Sequence, residues 1–174
     1  VFNLDIVARG DVIFIVSMAW IVAAIFYGPL DRLFDTRRGV VTGGMLAFAA
    51  MNAALAINAS NSVLVVTILL SGFALVAPMA SPIFAHARSL FPDTHTGRAF
   101  TAINLCTWSS VFAMQMGTGA ILDAFPVDDL GRSPAIAYRT MFGALAFALL
   151  LALFAYRRVE DMPPSAEEKG AERR

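Results

Sequence analysis

Apolar and polar residues do not alternate along this chain; they come in long blocks. From Val12 to Leu30 no residue carries a charge, and from Gly39 to Ala87 only His86 can carry one. A helix needs apolar runs of this length to cross the ~30 Å hydrocarbon layer of a bilayer. The pattern predicts membrane-spanning helices at 12–30, 39–57, 63–85, 99–122 and 140–156. The expected fold class is therefore all-α, a polytopic bundle with five transmembrane helices over 1–156. A disordered cytoplasmic tail should follow over 157–174, where Pro163-Pro164 and mixed charges give no apolar face to bury.

Local punctuation supports these limits. Asp5, Arg9 and Asp11 mark an aqueous lead-in, with a helix start as early as Ile6, and Pro29 closes the first span. In the second span Gly43, Ala47, Ala50 and Ala54 recur at helical spacing, a small face suited to close helix packing. Asn58 to Ser62 reads as a polar turn, and Asn58-Ala59-Ser60 matches a glycosylation acceptor pattern. Pro78 and Pro82 should kink the third span. Thr96 is the expected N-cap of the fourth, and Pro126, Gly131 and Pro134 fill the loop before the fifth. Tyr138 and Tyr156 bracket that last span, at the depth aromatic rings favour.

Composition agrees: 58% of residues are hydrophobic and only 15% charged, with a mean hydropathy of +0.69. Water-soluble domains carry more charge than this. The net charge of zero gives no electrostatic basis for binding nucleic acid. The single cysteine, Cys106, lies in an apolar run and reads as a buried, inert thiol. Basic residues fix the orientation. Numbering the loops alternately, one side collects Arg32, Arg37, Arg38, Arg88, Arg98, Arg157, Arg158, Lys169, Arg173 and Arg174; the other holds Arg9, Arg132 and Arg139. The first side, with the C-terminus, should be cytoplasmic. The chain opens on Val1 with no basic n-region, and is expected to be a piece of a longer protein.

Catalytic chemistry is not indicated. His86 and His95 lack a second ligand type nearby, no nucleophile triad is placed for hydrolysis, and no phosphate loop follows a strand. No cofactor or metal is expected. The spans hold no Asp, Glu, Lys or Arg, so a coupling ion, proton or other, would have to bind in the missing part. Polar groups concentrate in span four. Asn104, Trp108 and Gln115 share one face, with Thr107 beside them. Such a face either lines a path for a solute or bonds neighbouring helices. Ser17 and Trp20 in span one and Ser71 in span three are further lining candidates.

The densest charge cluster of the first half, Tyr27 to Gly39, resembles a known signature. Gly28-Pro29-Leu30-Asp31-Arg32 followed by Arg37-Arg38-Gly39 is similar to the loop between the second and third helices of each six-helix half in the major facilitator superfamily. Two residues rather than three separate Gly28 from Asp31, and Phe34 replaces a common Gly, departures that suit a second-half copy. Phe91-Pro92, Thr96-Gly97-Arg98-Ala99 and Asn104 resemble the entry to the eleventh helix, and Gly117 to Asp123 its outer end. The resemblance implies helices eight to twelve of a twelve-helix secondary transporter in a bacterial inner membrane. Its solute would be small and polar or anionic. It implies that Gly28, Asp31, Arg32, Arg37 and Arg38 form a latch to the missing N-terminal helices, which would in turn dock near Thr96, Gly97 and Arg98. Spans one, three and four would face the cavity, leaving the small face of span two for packing. The alternative is a non-transporting polytopic protein, a sensor or assembly subunit.

Overall fold

The computed structural model describes residues 4–58 and 62–166. Among these, every regular element is a helix. Ala59 and Ser60 of the glycosylation match and the last residues of the tail, 167–174, fall outside the described residues. Helix α1 (Ile6–Tyr27) starts where the Asp5 carboxylate accepts from the Ala8 amide at 2.7 Å. It ends just before Gly28 and Pro29. Ala23 is its one buried residue, while Ile13, Phe14, Ile25 and Phe26 stand open. An apolar face this open suits a membrane interior, not water.

A single turn, α2 (Leu30–Leu33), carries the loop into α3 (Arg37–Ile57). Helix α4 (Val63–Val76) runs through a 3-10 turn, Ala77–Met79, into α5 (Ala80–Ser89). The expected proline kink is this 3-10 turn. Pro78 and Pro82 have no amide hydrogens for the α-helical ladder, so the rod tightens there instead of breaking. Another 3-10 turn, Asp93–His95, leads into α6 (Thr96–Asp123), and α7 (Ala135–Tyr156) completes the bundle. The N-cap expected at Thr96 is a correction. The 3-10 turn delivers the chain already coiled, so His95 takes the cap position without a side-chain bond.

Charged residues mark the lipid boundary better than the helix boundary. Helix α7 begins at Ala135 rather than Thr140, and Arg139 in its second turn donates to the Ala56 carbonyl at 2.8 Å. Likewise α3 begins at Arg37 and α5 runs on past Arg88. Long basic side chains reach polar partners from within a helix, so the helix outlasts the apolar run.

Helices α1, α3, the α4–α5 rod and α7 are long and apolar enough to cross a membrane. Helix α6, the expected fourth span, has 28 residues, about 42 Å of rise. Its length suffices, but its polar residues dilute it below the other four. The molecule is an all-α polytopic membrane protein.

Packing centres on α3, which lies along α7, while α1 lies along α4. Val41, Met45, Met79 and Leu153 form the core, flanked by Phe48, Ile83 and Leu149. Gly44 makes the α3 contact possible: a Cβ there would come 2.9 Å from that of Met79. The small face predicted for packing is a second correction. Gly43 and Ala50 are exposed, whereas Val41, Gly44, Met45, Ala49, Asn52 and Leu55 are buried. Larger side chains give α3 more dispersion contact with α7, and one glycine supplies the close approach.

Candidate functional site

Two places gather the predicted residues. The first is the loop between α1 and α3. Asp31 is buried within it and accepts from its neighbour's amide, Arg32 N, at 2.9 Å. Its other oxygen lies 3.4 Å from Arg37 Nε, and both side chains are largely buried. A buried pair of this kind fixes geometry more than it adds stability. The first turn of α3 leaves amides without intrahelical acceptors. Thr36 Oγ1 accepts from Gly39 N at 2.9 Å. Gly39 is needed for that cap, because a Cβ would meet the Thr36 methyl at 2.7 Å. Gly28 and Arg32 are exposed at the rim.

The described part of the tail is not loose, which corrects the expectation of disorder for 157–166. Asp161 accepts from the Thr36 hydroxyl and, at 3.0 Å, from the Arg38 amide. Arg38 also donates to Val159 O at 3.2 Å, and Arg37 Nη1 to Met162 O at 3.4 Å. Ser165 donates from its amide and hydroxyl to the Asp35 carboxylate, at 3.0 and 2.7 Å. Asp35 itself adopts the left-handed region, with φ of 46°, which aspartate tolerates. Burial raises the Asp161 pKa, but the hydrogen bonds from the Thr36 hydroxyl and the Arg38 and Arg37 amides outweigh it and hold the carboxyl below its ordinary 3.8.

His86 joins the same end of the bundle. It is fully buried, with Nε2 facing the Glu160 carbonyl at 2.8 Å and Nδ1 bonded to the Tyr156 hydroxyl. A carbonyl only accepts, so Nε2 carries the hydrogen, and in the neutral ring Nδ1 accepts from Tyr156. Sequence spacing could not pair His86 with a carbonyl 74 positions away.

The second place is α6. An open groove of about 880 Å³ runs between α6, Met79 and the α7 residues Leu145 and Leu149. Of the predicted lining residues it includes Thr107 and Gln115, together with Cys106, Ser110 and Thr118. Cys106 is exposed here, not buried as expected. Asn104 and Trp108 are exposed on the adjoining face, outside the groove; Trp108 is 69% exposed. Ser17 and Trp20 are exposed on α1, and Ser71 is half-buried in α4. The hydroxyls of Thr107, Ser110 and Thr118 donate to the carbonyls of Ile103, Cys106 and Met114. Their hydrogens are committed to the helix, which leaves lone pairs toward the groove. At the N-terminal end of the same helix, Thr96 is half-buried and Gly97 and Arg98 are exposed. Helix α6 buries only Ala99.

A family model described as Major Facilitator Superfamily matches residues 2–174. Neither a curated protein nor a solved structure matches the chain.

Proposed function

Because the chain belongs to the major facilitator superfamily, a family of small-solute transporters, we propose that it supplies helices eight to twelve of a twelve-helix secondary transporter. The protein is an integral membrane protein engaged in transport. In the proposed reading it lies in a bacterial inner membrane with its C-terminus in the cytoplasm. It carries a small polar or anionic solute by alternating access, the two halves rocking about a site near the midplane. Any coupling ion binds in the other half, because the apolar runs of these helices hold no Asp, Glu, Lys or Arg.

The observation that supports this most is the uncovered polar side of α6. Asn104, Trp108 and Gln115 face none of the chain's own helices closely enough to be buried. Amides facing acyl chains are costly. A water-filled path shared with the other half removes that cost, and Gln115 can both donate to and accept from a solute there. At the cytoplasmic end, Asp31 serves as the latch toward the other half. The first-half loop docks in turn at Thr96, Gly97 and Arg98.

The test is solute uptake into proteoliposomes by the full-length protein. Gln115→Ala should shift apparent affinity by about threefold or more, the size of one lost hydrogen bond. Asp31→Asn should cut transport while leaving the amount inserted in the membrane near wild type. Equal loss of transport and insertion would reduce the loop to a topology signal. Absence of uptake for every solute class would favour a sensor or assembly subunit.

A further inference from the structure

The latch loop is held by the chain's own C-terminal segment. We propose that residues 157–166 are a clasp over the α1–α3 loop, with Asp161 the positioning residue that fixes Arg37 and, through it, Asp31. The functional consequence rests on the transporter reading above; the clasp itself does not.

The contacts form one connected chain. Asp161 is a second cap for α3, supplied from 123 positions along the sequence, and it takes the Arg38 amide that no intrahelical carbonyl can reach. A carboxylate also suits the positive end of the helix. One residue further on, Met162 O holds Arg37 Nη1, and the same guanidinium turns Nε toward Asp31 Oδ2. Pro163 and Pro164 stiffen the next step, and Pro164 is buried. Ser165 then closes the far edge on Asp35. On the other side His86 Nε2 grips the Glu160 carbonyl and so ties the strap to α5. Closed, the clasp keeps Asp31 engaged inside its own loop. Open, it frees Arg37 to turn and exposes the Asp31 carboxylate to a partner surface. The tail thereby regulates when the loop can latch.

Amide hydrogen exchange on the full-length protein in lipid nanodiscs tests this directly. In Asp161→Ala the amides of Arg37 and Arg38 should exchange about tenfold faster. Those of Ala53 to Ile57, at the other end of α3, should not change. Asp161→Asn should restore most of the protection, because its amide oxygen still accepts. Unchanged exchange at Arg37 and Arg38 in Asp161→Ala overturns the clasp, and so does a uniform rise along α3. Should Asp161→Ala fail to insert, Ser165→Ala provides the decision at an exposed edge: faster exchange at Asp35 to Arg38 supports the clasp, and wild-type exchange overturns it. Neither readout needs transport. If the loop loosens while Asp31→Asn still transports normally, the latch fails and the clasp stands.

Discussion

Asn52 is the most exacting side chain in the bundle. It is 1% exposed, its Nδ2 donates to Phe48 O at 2.8 Å, and its Oδ1 has no partner. A buried amide oxygen left unbonded costs about 1–3 kcal/mol. Asn52→Leu keeps the γ-branched shape, adds the bulk of its methyls and removes the orphan. Its expected effect is a thermal stability in detergent equal to or above wild type, by up to about 2 kcal/mol. A loss of that size would show that a water or a ligand sits on Oδ1 and completes the bond. Ser71 Oγ is in the same condition on α4. Both residues show why polar groups in a membrane sequence are ambiguous: the same amide reads as lining, as glue or as an orphan until its neighbours are known.

At the scale of helices, the tightest constraint is where α3 passes the 3-10 turn of the α4–α5 rod. The Gly44 Cα leaves room for Met79, and the nearest atom a new Cβ would meet is the Met79 Cβ, which cannot swing aside. Gly44→Ala should therefore force the two elements apart and cost about 1–3 kcal/mol, read as a lower unfolding midpoint. Gly43→Ala, one position earlier and with open space around its Cβ, should be near neutral. Equal effects at both positions would mean that α3 is rotated from the orientation described. The apolar blocks predicted which segments are helical because a lipid-spanning run leaves few alternatives. They did not predict which face of α3 packs, because in lipid an apolar side chain gains little from being inside rather than outside. Of the small residues at Gly43, Ala47, Ala50 and Ala54, two are exposed and two only half-buried, and the decisive glycine lay one position away. The tail was illegible for another reason. Mixed charge and Pro-Pro describe a segment that cannot fold alone, and its partners, Thr36 and Arg38, lie more than 120 positions upstream. The only hint was the acidic pair Glu160-Asp161 at the same predicted membrane face as Arg37-Arg38.

For the molecule as a whole, those tail contacts constrain the topology. Thr36 and Asp161 are hydrogen bonded, so they lie at the same face of the membrane. An even number of crossings must separate them. Helices α3, the α4–α5 rod and α7 provide three. We infer that α6 provides the fourth, despite its polar residues, because its length of about 42 Å exceeds the ~30 Å required. Parity then puts Leu33 and the 124–134 loop on opposite faces. Leu33 and Leu130 are each 74% exposed, so cysteines there are reachable. In right-side-out membranes an impermeant maleimide should label Leu130→Cys from outside and reach Leu33→Cys only after permeabilisation. Cys106→Ser provides the background, since that thiol is exposed in the α6 groove. Labelling of both positions from one side would leave α6 lying on the membrane rather than through it. The polar side of that helix would then face the interface, and the solute path assigned to it would have no wall.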